Sequence, residues 1–153
     1  MKILIITGGI SSEREISLLS AREVKKGLVV NKFQVKVYDL KYGYQKLKKE
    51  VLKVDIVFPV IHGEEGEGGK LQKFLSKLGK PFVGGDPDGM RTGWFKIPFK
   101  RFCYRIGINT PDWKVVKSPQ DLIEFGFPCV LKSSSGGSSK EVMILKSVKD
   151  INK

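Results

Sequence analysis

Histidine occurs once in the 153 residues and cysteine twice, so the chain has no ligand set for a zinc site of the cysteine–histidine type. Cys103 and Cys129 are far apart and each sits among apolar neighbours, which reads as a pair of reduced core thiols rather than a disulfide framework. No apolar run approaches the roughly 20 residues of a membrane-spanning helix. The opening Met1-Lys2-Ile3-Leu4-Ile5-Ile6 breaks at Gly8-Gly9, short of the about 7–15 apolar residues of a secretory signal. A cytoplasmic protein without a membrane partner is therefore expected. Negative charge is scarce as well: 16 acidic residues face 28 lysines and arginines, a net charge of +12. The lysines are spread along the whole chain, and an arginine-rich arm, zinc finger or RNA-recognition signature is missing. The excess thus reads as a solvated lysine-rich surface with a general attraction for phosphates, not as a nucleic-acid interface.

What is present is a pattern of short apolar runs alternating with helical periodicity, the mark of an α/β domain with a parallel sheet. Residues 2–6 read as a buried strand. Residues 13–29 read as a helix with Ile16, Leu19, Val24 and Leu28 on its inner face. Strands are expected around Val35, Val37 and Tyr38 and over 55–60, with a lysine-rich helix at 45–52 between them. Leu71, Phe74, Leu75 and Leu78 follow helical spacing, stopped by Gly79 and Pro81, and Phe82-Val83 reads as one more short strand. The stretch 84–93, dense in Gly, Asp and Pro, reads as a boundary loop. Beyond it come a helical face of Phe99, Phe102, Cys103 and Ile106, a strand at 113–116, a helix opened by Ser118 and Pro119, and a strand at 127–132. A loop over 133–140 and a returning strand at 142–145 follow. Two domains are expected, 1–93 and an incomplete 94–153.

Three segments carry candidate chemistry. Gly8-Gly9-Ile10-Ser11-Ser12-Glu13-Arg14-Glu15 follows the first strand, where glycines let the backbone turn tightly against a ligand. Ser12 and Glu15 have the spacing of a capping box. Glu13 remains at the mouth of the turn, either complementing the helix dipole or holding a ligand's ammonium group. His62-Gly63-Glu64-Glu65-Gly66-Glu67-Gly68-Gly69 follows another strand, at the sheet edge where ligands of open α/β folds bind, and His62 there is either structural or a ligand contact. Lys132-Ser133-Ser134-Ser135-Gly136-Gly137-Ser138-Ser139 joins two strands and suits a flap closing on phosphates, though it lacks the Walker pattern. A lysine closing a buried strand, as Lys132 is expected to do, needs a partner, and Lys96 and Lys100 on the preceding helix could share an anion with it.

Taken in order, these blocks resemble the D-alanine–D-alanine ligase family of the ATP-grasp superfamily, from Lys2 to about Leu145. The resemblance rests on the GG-x-S-x-ERE-x-S form at Gly8–Ser17, the block from His62 through Gln72, Lys96 through Pro111, and Phe127 through Ser139. It implies a Rossmann-like parallel sheet (the pre-ATP-grasp domain) followed by the start of an ATP-grasp α+β domain. It also implies a reaction in which ATP phosphorylates one D-alanine and the amine of a second attacks the acyl phosphate, for cell-wall precursor synthesis. Glu13 would bind the first ammonium, His62 would lie near the substrate carboxylate, and Ser138 and Ser139 would belong to a closing loop. Lys96, Lys132, Gly137 and Ser138 would hold the ATP phosphates, while the Mg2+ ligands would lie in a carboxyl-terminal half. A homodimer through the first domain is also implied. The pattern departs from the family at Trp94-Phe95 (usually Met-Asp), Ser133 (usually Pro), Gly68 (usually Asp) and Glu141 (usually Gly). A truncated ligase inactive by itself is the resulting expectation; the alternative is a non-catalytic dimerisation or D-alanine-binding module.

Overall fold

The protein is described here from a computed structural model, which covers residues 1–137 and 141–152. The chain divides into two compact units, Met1–Trp94 and Phe95–Lys153.

In the first unit the apolar runs pair as parallel strands. β1 (Lys2–Thr7) lies between β2 (Gln34–Asp39) and β3 (Ile56–Pro59), in the order β2-β1-β3. The register sets Ile3 against both Val35 and Ile56, and Ile6 against Tyr38 and Pro59. All of β1 after Lys2 is buried, as a central strand covered on both faces must be. Side chains alternate across a strand. Leu4 and Ile6 enter a core with Leu47 and Val51 of α2 (Tyr44–Val51) and with Leu71 and Leu75. Ile3, Ile5 and Thr7 are left to the opposite face, where Thr7 Oγ1 donates to the Ser17 carbonyl of α1 (Arg14–Val30) at 2.7 Å. The outer edge of β3 is extended by a single parallel bridge, Val57 to Phe82, with Val57 N donating to Pro81 O and Val83 N to Val57 O. The strand expected at Phe82-Val83 is thus reduced to one bridge. On the other flank β2 is an outer strand, with Gln34, Lys36 and Val37 exposed and Lys36 paired to Glu50 of α2.

Helix α1 spans the expected residues but turns a different face inward. Ser17 and Ala21 are buried, with Val24 and Leu28 partly so, whereas Ile16 and Leu19 are more than half exposed. Small residues let the helix approach the sheet closely, and the buried Ser17 hydroxyl is satisfied by donating to Glu13 O. The cap position falls on Glu13, not Ser12, and its side chain makes no capping bond; Glu15 stays exposed in the first turn. Two short helices follow β3: α3 (Glu64–Glu67) and α4 (Lys70–Lys77). The expected loop at 84–93 holds another helix, α5 (Pro87–Trp94), because the Asp86 carboxylate accepts from the Asp88 and Gly89 amides and proline occupies the first helical position.

In the second unit, α6 (Lys96–Arg105) buries Cys103 alone, and Phe99, Phe102 and Ile106 remain exposed. Residues 113–116 form no strand, and Trp113 and Val115 are largely exposed. Helix α7 (Pro119–Phe125) starts as Ser118 and Pro119 predict, with Asp121 Oδ2 accepting from the Lys117 and Ser118 amides at 2.9 Å. β4 (Cys129–Lys132) and β5 (Val142–Leu145) pair antiparallel over a small core of Leu122, Cys129 and Leu145. Both cysteines are free and buried. Among the described residues, no helix is long and apolar enough to cross a membrane.

Candidate functional site

Two loops at the carboxyl ends of neighbouring strands build the site in the first unit. After β1 the chain turns through Gly8 and Gly9, both at positive φ. Asp39 closes on this turn from the end of β2: its Oδ1 accepts from Gly9 N at 3.2 Å and from Arg14 Nη1 at 2.9 Å, while Arg14 Nη1 also donates to Gly9 O at 2.8 Å. From the other side Glu65 Oε2 accepts the Ile10 amide at 2.7 Å. A Cβ at Gly8 would stand 2.3 Å from Asp39 Oδ1, and one at Gly9 would stand 2.3 Å from Glu65 Oε2. Only glycine fits between the two carboxylates. The Arg14 guanidinium holds the Asp39 carboxyl at about 2, below its ordinary 3.8, helped by the Lys41 and Gly9 amides and opposed by burial.

These bonds change the reading of the glycine turn. The amides of Gly9 and Ile10 are engaged by the chain's own carboxylates, and the Glu13 and Arg14 amides by Ser11 Oγ and Ser11 O. The turn is therefore filled by internal acceptors and is no ready-made hole for an external anion.

The second loop is fastened to α1. His62 N donates to Ser17 Oγ at 2.9 Å, His62 O accepts from Ser11 Oγ at 3.2 Å, and His62 Nε2 meets Ser20 Oγ at 3.1 Å. Gly63 N donates to Glu67 Oε2 at 2.8 Å. A Cβ at Gly63 would lie 3.1 Å from Ser11 Oγ and 3.7 Å from Glu13 Oε2. Glu13 and the His62-Gly63 loop, 49 residues apart by their numbers (62 − 13), are thus brought together. His62 is bonded through backbone and ring alike, so it has a structural part whatever else it contacts.

The candidates of the second unit are less gathered. Lys96 Nζ donates to Gly136 O at 2.9 Å and Lys96 N to Ser134 O, which ties the start of α6 to the loop after β4. Lys132 at the end of β4 is exposed, so solvent meets its charge and the partner expected for it is not required. Lys100 Nζ donates to Pro111 O at 2.9 Å. Gly137 is exposed, and Glu141 Oε2 lies 3.6 Å from the point where a Gly136 Cβ would stand. Ser138 and Ser139 lie outside the described residues. Among the described residues no group of histidine, cysteine and acidic side chains is arranged to hold a metal ion.

Sequence reasoning missed Ser20, Asp39 and Glu65 as parts of this site, and had Ser11 and Ser17 only as members of the first block, without their bonds to His62. Asp39 had a usable signal, since it is the last residue of a strand at the ligand-binding edge. Glu65 and Ser20 carried none, because their partners Ile10 and His62 lie far along the chain.

The parallel sheet and its two ligand-edge loops define a class: an α/β domain that presents a carboxylate and a histidine loop at the carboxyl ends of adjacent strands. Residues 41–85 match the family model described as D-ala D-ala ligase N-terminus. The chain is 35% identical to the D-alanine–D-alanine ligase of Thermotoga petrophila over 147 residues, 96% of the chain and 48% of that protein. It is also 35% identical to the ligase of Aquifex aeolicus, over 99% of the chain and 53% of that protein. Among solved structures, the Bacillus anthracis D-alanine–D-alanine ligase superposes with a TM-score of 0.87 at 30% identity, across 99% of the chain and 51% of that structure. By sequence and by fold, then, the chain matches the amino-terminal region of the D-alanine–D-alanine ligase family. It spans about half the length of the curated relatives it matches.

Proposed function

We propose that this chain supplies the first D-alanine pocket and part of the nucleotide site of an ATP-dependent D-alanine–D-alanine ligase. The observation that carries the reading is the approach of Glu13 to the His62-Gly63 loop at the carboxyl ends of β1 and β3. The Glu13 carboxylate stands beside that loop, and its charge favours an ammonium over an anion. His62, oriented by Ser17 and Ser20, would meet the substrate carboxylate in this reading.

Lys96, Lys132 and Gly137 suit a polyphosphate by charge and lack of bulk, and Ser138 and Ser139 follow Gly137 directly in the sequence. Lys96 would exchange its bond to Gly136 O for a phosphate oxygen. Glu141 opposes this by placing a carboxylate beside Gly136. ATP, when bound, supplies activation of the substrate carboxylate by phosphoryl transfer; a crystal structure of the Bacillus anthracis ligase holds ATP. No residue described here is assigned to Mg2+. The exposed Ile16 and Leu19 on α1, beside the exposed Ile10, suit a homodimer contact in the same reading.

A second reading, a D-alanine-binding or dimerisation module without ligase activity, is favoured by one contrast. The pocket groups of Met1–Trp94 are bonded to one another, whereas among the described phosphate candidates of Phe95–Lys153 Lys96 reaches the loop after β4 but Lys132 and Gly137 stand exposed. Calorimetric titration with D-alanine, with Mg-ATP and with both decides between them. Binding of both ligands supports the ligase reading, binding of D-alanine alone supports the module, and silence towards D-alanine overturns the Glu13 pocket.

A further inference from the structure

We infer that Glu65 is a positioning residue for the Glu13 pocket: its carboxylate, held on the Ile10 amide, sets the spacing between the two ligand loops and with it the size of amino acid admitted. The inference rests on the D-alanine reading of that pocket and extends it to a residue that touches no ligand.

The two loops leave different strands, and the sheet fixes only their roots. Ile10, at the crest of the first loop, is 81% exposed, so apolar packing does little to hold that loop in place. Asp39 and Arg14 hold its root at Gly9, and beyond that two polar ties join it to the second loop. One is Ser11 Oγ to His62 O, a neutral bond of 3.2 Å. The other is Ile10 N to Glu65 Oε2 at 2.7 Å, a shorter bond to a carboxylate, of the kind about twice as strong as a neutral one.

Glu65 is mounted on a firm base. Its helix α3 is anchored by Gln72, which is buried and donates through Nε2 to Gly66 O at 2.6 Å. A Cβ at Gly66 would lie 2.2 Å from Ile61 O, so the helix is set down directly on the end of β3. Glu67 of the same turn holds Gly63 N. The line of support therefore runs from the α4 core through Gln72 and α3 to Glu65, then to Ile10 and three residues on to Glu13. Beside Glu13 stands Gly63, also fixed by α3. One rigid turn determines both walls.

Removing the Glu65 carboxylate frees the Ile10–Glu13 wall while leaving the His62–Gly63 wall in place. The expected result for Glu65→Ala is loss of hydrogen-exchange protection at the Ile10 amide and altered NMR signals at Ser11 and Glu13. D-Alanine binding should weaken about tenfold, since a bond to a charged group is lost. Discrimination against the bulkier D-valine should narrow, a change that a merely structural role would not produce. Glu65→Gln keeps an acceptor and should restore most of the D-alanine affinity. The inference is overturned if Glu65→Ala retains Ile10 protection, or if it binds D-alanine and rejects D-valine as the parent chain does. A parent chain silent towards D-alanine overturns the pocket reading instead, and the Ile10 and Glu13 signals of Glu65→Ala then decide whether Glu65 couples the loops.

Discussion

The unit Met1–Trp94 and the unit Phe95–Lys153 are made of similar residues yet solve folding to different degrees. The first has a central strand buried on both faces and one apolar cluster running from Leu4 to Leu75. Among the described residues, the second buries a cluster of only Leu122, Cys129 and Leu145 beneath a two-stranded sheet. Its β5 leaves Val142, Met143 and Ile144 exposed. Two strands alone are marginal in water, whereas a covered parallel sheet is not. The difference teaches where a preformed site can live. Polar groups can be held a few ångströms apart only where a core fixes the backbone beneath them, and the linked loops of Glu13 and His62 stand on the unit that has one.

The sharpest way to break this comparison is to remove the same atoms from each core. Leu71→Ala, at a fully buried position, should cost about 2–5 kcal/mol in urea unfolding and take the pocket with it. Leu145→Ala should speed hydrogen exchange across β4 and β5 and leave the amides of β1 at their original protection. Equal loss of protection in both units after either substitution would mean that they fold as one body, and the contrast would fall.

A smaller effect is expected at the glycine turn. Gly9→Ala places a Cβ at positive φ and against Glu65 Oε2, and should cost roughly 1–3 kcal/mol in thermal or urea unfolding. A neutral outcome would show that the turn can open without strain, and that the first unit's site is less tightly built than its core.

The smallest effect is set by pH. Asp39 has its carboxyl lowered from 3.8 to about 2 in the folded chain, so its pairing stabilises the first unit fully above the unfolded value and is lost as pH falls through about 2. After allowance for solvent screening the contribution is on the order of 1 kcal/mol. An acid titration should show Asp39→Asn less stable than the parent at neutral pH, with the gap closing as pH drops from about 4 towards 2. A constant gap across that range would remove Arg14–Asp39 as the cause.

How much of this was readable beforehand depends on whether the signal was local. β1, β2, β3, α2 and α4 follow from apolar spacing because the core they build is satisfied within the first unit. Helix α1 was located correctly but turned wrongly, since Ile16 and Leu19 outweigh Ser17 in any hydrophobic count. The buried serine is explained only by Glu13 O and His62 N. Helix α5 was hidden by a composition rich in Gly and Asp, although Asp86-Pro87 is a start signal. The strand expected at 113–116 has no partner strand beside it, and periodicity cannot supply one. At the candidate site, Glu13 and His62 stood out by their strand-end positions. Their spacing depends on Asp39 and Glu65, whose partners lie 30 and 55 residues away.

The open flank of the sheet has a colloidal consequence. One edge is extended by the bridge at Phe82, but among the described residues β2 presents an unpaired row of backbone groups beside an exposed Val37. Such an edge is a template on which a second chain can add a strand. Lys36 stands in the middle of it, its charge kept in place by Glu50. Two copies meeting edge to edge would bring these lysines together, within molecules that each carry +12. The lysine excess that says little about ligands thus acts here as a guard, keeping a sheet with one unfinished side from growing by its own repetition.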